Sequence, residues 1–234
     1  TITQFGEFFI GRPDPKYDEY VYFPKQTGIN NLDFEFYRAA SATFGDFSTT
    51  MADFGNMLQY TQDDYDYENQ AVTFLDNHDV TRVASILSNE KHLPLIYAMC
   101  FGMPGIPCVY YGSEWGTRAD KSQGDPALRP CFEQPEWNEL SEFISKLAEA
   151  KKNSEALNYG SFRSVLLTNR QCIFERASGH ERVMVAINAD GAPFTAHFDA
   201  GCGMATDLIT GQPHDFGGGS ELPPYSAAFW KMER

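Results

Sequence analysis

The segment AVTFLDNHDVTR, residues 71–82, decides the fold. Its first part, AVTFLDN (71–77), is a short apolar run with β-branched and aromatic residues, which predicts a buried strand. The strand ends on Asp76, Asn77, His78 and Asp79. Polar side chains at the C-terminal end of a parallel strand point into the site in barrel enzymes. The other reading is a polar turn with Asp79 as the N-cap of the next helix. Local chemistry leaves both open.

Working outward, TITQFGEFF (1–9) predicts a strand. GRPDPKYDEYVYFPKQTG (11–28) reads as a loop because it holds Pro and Gly. INNLDFEF (29–36) predicts a second strand that runs into a helical pattern to about Gln59, broken near Gly45. DDYDYE (63–68) reads as a polar turn. After the central segment, residues 85–102 predict an apolar helix interrupted or started by Pro94, and GIPCVYYG (105–112) a fourth strand. In WNELSEFISKLAEAKKN (137–153), the spacing of Leu140, Phe143, Ile144 and Leu147 predicts an amphipathic helix. Strand and helix thus alternate, which predicts an α/β class with a parallel sheet.

Beyond about residue 154 the pattern changes. FRSVLLT, CIFERA, VMVAIN, FTAHFD, MATDLIT and SAAFWKM are short strands separated by turn residues, and predict a small antiparallel β-sandwich. Residues 1–153 and 154–234 are expected to form two units.

Composition narrows the function classes. Apolar residues at 42% and charged residues at 21% describe a globular chain. A net charge of −14 repels phosphate backbones and anionic membranes, so neither nucleic acid nor membrane is expected as a partner. A neutral polyol is compatible with it. Aromatics at 15% serve either a rich core or stacking platforms for flat ligand faces. The five cysteines are odd in number and form no CxxC pair, which argues against a disulfide scaffold or zinc site. Reduced thiols favour a cytoplasmic setting. No transmembrane run stands out, and no signal peptide is expected. The opening TITQFGEFFIG carries no initiator Met and reads as the middle of a fold, so residue 1 is expected to be an artificial or processing boundary.

Two further segments carry chemistry. In QFGEFFIG (4–11), Glu7 lies within an apolar strand, where a carboxylate is costly to desolvate. It is either an outward-facing or salt-bridged residue, or a general acid whose surroundings let it hold a proton near neutrality. In GIPCVYYGSEWG (105–116), Tyr110 and Tyr111 serve as core or as a stacking wall. Downstream, GDPALRP (124–130) places Asp125 and Arg129 at i, i+4, a spacing that surface salt bridges also use.

Together these segments resemble the α-amylase superfamily, the retaining α-glucosidase clan built on a (β/α)8 barrel. QFGEFFIG resembles the motif of the fifth barrel strand, so the resemblance assigns the general acid/base role to Glu7. FLDNHDVTR (74–82) resembles the seventh-strand motif, whose His and last Asp contact the sugar at the cleavage subsite. His78 and Asp79 take those places, Asp79 as transition-state stabiliser, with Asn77 beside them. GIPCVYYGSE resembles the eighth strand and brings Tyr111, followed by Asp125 and Arg129, to the substrate. INNLDFEF resembles the sixth strand as cyclodextrin glucanotransferases and close amylases write it. The tail, with NYGSF, ERVMVAIN and LPPYSAAFW, resembles the C-terminal β-sandwich. The implied architecture is the C-terminal half of a TIM barrel followed by that sandwich. The implied ligand is an α-glucan or maltooligosaccharide.

The departure is the nucleophile. The family carries it as an Asp on the fourth strand, in a GxRxD context with a following Lys-His, and no such segment occurs here. Arg12 in GRPD follows the Glu motif in the wrong context, and Asp14 and Asp18 fall beyond the strand end. The chain alone is therefore expected to be catalytically incomplete, pairing either with an N-terminal half-barrel or with itself. No cofactor is expected, and the usual calcium ligands would lie upstream. Three readings compete: part of an α-glucan-active enzyme, a non-catalytic glucan-binding or assembly module, and an unrelated α/β domain with capped strand ends.

Overall fold

The computed structural model describes residues 4–10, 13–64 and 71–232. Residues 1–3 of the expected first strand, Arg12, and residues 65–68 of the expected polar turn lie outside them.

The first part alternates strand and helix: β1 (Phe5–Gly6), α1 (Tyr17–Thr27), β2 (Asn30–Asn31), α2 (Phe34–Phe44), α3 (Met51–Asp64), β3 (Val72–Phe74), α4 (Val83–Ile86), α5 (Leu93–Gly102) and β4 (Ile106–Cys108). β1 pairs in parallel with β2, Phe5 opposite Asn30. β3 pairs in parallel with β4, Val72 opposite Ile106. A parallel bridge from Leu32 to Val72 joins the two pairs. The four strands therefore lie side by side in chain order, and their C-terminal ends share one rim. All three residues of β3 are buried, as expected of a strand covered on both faces. Gly105 precedes β4 at a φ of +116°, where an added Cβ would meet the Ala71 carbonyl at 2.7 Å. That close approach lets Ile106 N–H reach the same carbonyl at 2.9 Å.

Two expectations need correction. The predicted loop at 11–28 contains α1. Its residue Tyr20 is buried, and Phe8 packs on Phe23 at 5.1 Å. Pro24 lies within this helix and has no N–H to give the Tyr20 carbonyl. The Asn31 side chain donates to that carbonyl instead, at 2.9 Å, so a residue on the next strand repairs the break. The predicted strand at 29–36 is only Asn30–Asn31, because the Asp33 carboxylate accepts from Phe36 N–H at 2.9 Å and starts α2.

The second part follows α6 (Asp125–Leu128), α7 (Glu139–Lys152) and α8 (Glu155–Tyr159). Its strands are β5 (Ser161–Leu167), β6 (Gln171–Ala177), β7 (Arg182–Asn188), β8 (Phe194–Ala196), β9 (Met204–Asp207), β10 (Pro213–Asp215), β11 (Ser220–Leu222) and β12 (Ser226–Met232). Six form one sheet in the order β10-β9-β12-β7-β6-β5, and β8 pairs with β11 separately. All pairings here are antiparallel. The middle of the large sheet is buried on both faces, and β7 shows why. Val183, Val185 and Ile187 join the core that includes Tyr97, Met99 and Leu147 from α5 and α7. Met184 and Ala186 join a second core with Ala196, Leu222 and Trp230. The partner layer expected of a sandwich is thus a two-stranded ribbon on one face, and helices cover the other. α5 suits that role because it is buried all round from Leu95 to Gly102.

Two cations fasten the helices to the sheet. Lys151 Nζ donates to the carbonyls of Phe101 (3.2 Å), Met103 (2.8 Å) and Leu157 (3.1 Å). Arg176 donates to Gly102 (2.9 Å), Gly160 (2.9 Å) and Ser161 (3.3 Å). The otherwise orphaned carbonyls at the C-terminus of α5 are satisfied this way, at the negative end of the helix dipole. Burial, with the Arg176 charge nearby, pushes Lys151 down to about 7 from an ordinary 10.5. Between those values the unfolded chain binds more protons at this position than the folded one, so this residue's contribution makes stability rise with pH. Urea unfolding at pH 7, 8, 9 and 10 is expected to show wild type gaining stability relative to Lys151→Met across that range. A difference that stays flat would mean that Lys151 keeps its proton on its three carbonyls.

Candidate active site

The rim at the end of β3 gathers most of the residues named from sequence. After β3 the chain buries Leu75 and Asp76, then turns out at Asn77. The Asn77 side-chain oxygen accepts from Asp79 N–H at 2.8 Å, which sets the turn. Both carboxylate oxygens of Asp79 are engaged: Oδ1 accepts from Arg129 Nη2 at 2.8 Å, and Oδ2 lies 3.1 Å from His78 Nε2. Arg129 Nε donates to the His78 carbonyl at 3.2 Å, and Asp125 stands 3.5 Å from the same guanidinium. The Tyr111 hydroxyl donates to the Pro130 carbonyl at 2.9 Å, next to Arg129. Asn77, His78, Asp79, Tyr111, Asp125 and Arg129 thus occupy one place. The Asn77 Nδ2 is buried and has no partner among the described residues, which leaves a donor at this cluster.

Glu7 stands apart. It follows β1 directly and is exposed, so the desolvation expected of a carboxylate inside an apolar strand does not arise. No hydrogen bond or ion pair found among the described residues joins it to the Asp79 cluster. It shares the rim, however. Glu7 and Asp79 follow the C-terminal ends of parallel strands with only β2 between them, a lateral separation of about 10 Å at ordinary strand spacing.

The capping alternative for Asp79 is corrected by geometry. The residue that accepts from Val83 N–H at the start of α4 is Asp76, at 2.8 Å. Asp76 also accepts from the Ser113 hydroxyl at 2.6 Å. Burial drives its carboxyl above the usual range, opposed by the Ser113 hydroxyl, the Val83 amide and the Arg82 charge.

Sequence reasoning missed Arg82. Its side chain is fully buried and donates to the Tyr111 carbonyl (2.7 Å), the Ser113 hydroxyl (2.9 Å) and the Leu128 carbonyl (2.8 Å). Its guanidinium also lies over the Tyr110 ring at 4.1 Å. Arg82 therefore ties the end of the β3 motif to the loop that delivers Tyr111 and to the segment that delivers Arg129. Nothing local in VTRV separates this arginine from a solvated one. Among the described residues no group of three or more His, Cys, Asp or Glu is placed to hold a metal ion.

Comparison with known proteins gives the same direction. Residues 4–164 match the family described as the α-amylase catalytic domain. A cyclomaltodextrin glucanotransferase of Niallia circulans is 31% identical over 221 residues, which is 93% of this chain and 29% of that protein. An α-amylase of the same organism is 34% identical over 211 residues, 90% of this chain and 38% of that protein. The chain therefore spans well under half the length of these relatives. A crystal structure of a cyclomaltodextrin glucanotransferase with a three-domain ABC distribution superposes with a TM-score of 0.85 at 27% identity, covering 100% of this chain and 50% of that one.

The network predicts unequal costs. Arg82→Ala leaves Asp76 and two loop carbonyls without their buried cation and is expected to lose about 3–5 kcal/mol in urea unfolding. Arg129→Ala removes an ion pair at a side chain that is 44% exposed and is expected to lose less than about 1 kcal/mol.

Proposed function

The chain belongs to the α-amylase catalytic-domain family, and from that premise we propose that it carries the acid/base and the transition-state stabiliser of a retaining α-glucan-active site. The observation that carries this reading is the Asp79 carboxylate held between His78 and Arg129 at the end of β3, on the rim that also presents Glu7. In this reading β1 to β4 are barrel strands five to eight. Residues 1–153 form the catalytic part and 154–234 the C-terminal β-unit.

Each residue then has a task. Glu7 protonates the glycosidic oxygen as the bond breaks, then takes a proton from water or an acceptor hydroxyl. Asp79 accepts hydrogen bonds from ring hydroxyls and stabilises positive charge developing at the anomeric carbon. His78 and the spare Asn77 amide donate to the sugar, and Arg129 with Asp125 fixes the direction of the Asp79 carboxylate. The covalent step needs a further carboxylate to attack the anomeric carbon. The 234 residues contain no GxRxD segment with a following Lys-His to supply it: GTRAD (116–120) lies beyond β4 and runs on into Lys-Ser. That absence also favours the second reading, a glucan-binding module without turnover.

Assays with nitrophenyl maltoheptaoside separate the readings. The chain alone is expected to release no nitrophenol, and release at an ordinary enzymatic rate would overturn the assignment of an outside nucleophile. In a polypeptide that also supplies a GxRxD segment ahead of Thr1, Glu7→Gln and Asp79→Asn are each expected to lower kcat on the order of 10²–10⁴-fold with folding retained. Unchanged kcat in both variants would remove these residues from the chemistry.

Among the described residues the outer edges of β1 and β4 are unpaired, which supports a partner. Phe5 (55% exposed), Phe9 (53%) and Ile106 (38%) present apolar surface along them, and open parallel edges invite pairing. The proposed occupant is an N-terminal half-barrel, or a second copy where none is supplied. Light scattering of the chain alone at micromolar concentration is expected to show self-association, and a stable monomer would rule that out.

A further inference from the structure

His92 closes the short turn Glu90–His92 that leads into α5, and it is buried. It stands where the two parts of the chain meet. Its Nε2 lies 3.1 Å from the Ala189 carbonyl, just past the end of β7. A carbonyl only accepts, so Nε2 carries the proton and Nδ1 is the basic nitrogen of the neutral ring. Nδ1 is buried as well, and it makes no hydrogen bond of ordinary geometry among the described residues.

Three rings enclose the imidazole: Phe47 at 4.9 Å, Tyr225 at 5.6 Å and Phe44 at 6.1 Å. Phe44 ends α2, Phe47 lies in the loop after it, and Tyr225 directly precedes β12. Phe47 has a φ of +54° and Tyr225 a φ of +49°. Among the described residues these two alone, glycines aside, adopt the left-handed region. That backbone is strained for a residue with a Cβ and persists only where its surroundings hold it. Here both strained residues rest their rings on the same imidazole. The Tyr225 N–H also donates to the Asp190 carbonyl at 2.9 Å, which ties its turn to the segment that His92 holds.

The charges nearest this cluster are cationic. Arg170, from the turn between β5 and β6, lies over the Phe47 ring at 3.7 Å, and Lys91 lies over the Tyr225 ring at 5.0 Å. The carboxylates on the packed elements are engaged elsewhere or turned to solvent. Asp46 is exposed and accepts from Ser48 N–H at 2.9 Å, Glu90 pairs with Arg118 at 2.6 Å, and Asp190 is exposed. Burial holds His92 below its ordinary 6.5; the Ala189 and Phe44 carbonyls oppose this, and the Arg170 charge adds to it. Opening the seam lets water solvate an imidazolium. The open form therefore binds the proton more readily than the closed one, and the closed form loses ground as pH falls through 6.5.

We propose that His92 is a pH-sensitive latch between the α/β part and the antiparallel sheet. The neutral ring holds the loops of Phe47, Ala189 and Tyr225 together, and protonation in mild acid frees them to relax their backbone. The latch does not depend on the α-glucan reading of the Asp79 cluster.

Hydrogen exchange of the full chain, read by mass spectrometry at pH 7.5, 6.5 and 5.5 and corrected for the intrinsic pH dependence of exchange, tests the latch. Peptides covering 44–50, 188–192 and 223–227 are expected to lose protection at pH 5.5 by up to about tenfold, the most that one proton bound a unit below 6.5 can shift an equilibrium. His92→Gln keeps a donor for the Ala189 carbonyl but cannot titrate, and is expected to lose less than about twofold. Equal loss in wild type and His92→Gln, or no loss in wild type, overturns the proposal. Nuclear magnetic resonance of wild type gives a check that needs no variant to fold. The His92 Cε1–H signal, assigned by its contacts to the Phe47 and Tyr225 rings, is expected to titrate with a midpoint below 6.5. A midpoint at or above that value overturns the proposal.

Discussion

Two of the largest fully buried side chains in this protein are arginines, Arg82 and Arg176. A guanidinium keeps its charge in proteins, so burying one forces polar acceptors to gather around it. Each draws its three acceptors from two segments of chain that are distant from it in sequence. For Arg82 these are the Tyr111 carbonyl, the Ser113 hydroxyl and the Leu128 carbonyl. For Arg176 they are the carbonyls of Gly102, Gly160 and Ser161. Loops are ordinarily the least determined parts of a fold. Here the loops that matter are fixed by the acceptors they bring to the terminal nitrogens of a buried cation.

The two anchors act on different layers. Arg176, helped by Lys151, closes the C-terminus of α5 onto the start of the antiparallel sheet. β7 can then bury both faces, one against α5 and the other against the ribbon of β8 and β11. Arg82 acts at the opposite end of the parallel strands. It holds the turn after β4 and the end of α6, and those carry Tyr111 and Arg129. The position of Arg129 in turn directs the Asp79 carboxylate. A lone surface ion pair has little energetic weight. This one has its arginine delivered by a segment that a buried guanidinium has already fixed.

What sequence reading recovered follows from which forces are local. The buried run before Asp79, the apolar helix that Pro94 opens, and the amphipathic stretch at 139–152 are set by periodicity and capping within a few residues. α1 was hidden because Pro24 breaks a helix on local evidence, whereas Asn31 repairs it from the following strand. The strand expected at 29–36 shrank because an aspartate spaced three residues before an amide makes a cap, which outweighs β-favouring aromatics. β10 and β11 are three-residue strands in a Gly- and Pro-rich stretch, too short to leave an alternating pattern. At the site, motif residues were legible because they cluster in sequence. Arg82 was not, because its role exists only once residues 111, 113 and 128 have been brought to it.

On the proposed reading, the site divides the labour of glycosidic chemistry unevenly along the chain. Recognition of hydroxyls needs fixed carboxylate and amide groups, and these are present on one rim, with Asp79 oriented by two partners and Asn77 offering a donor. Proton transfer needs an accessible carboxyl on the same rim, and Glu7 is exposed there. Bond formation to carbon needs a third carboxylate on the other side of the anomeric centre, and no strand among the described residues places one with the features of the family's nucleophile. Binding groups hold their geometry through the buried arginine whether or not that third group is present. On that reading sugar recognition can persist where covalent chemistry cannot, since orienting a ring and attacking it are demands met by different strands.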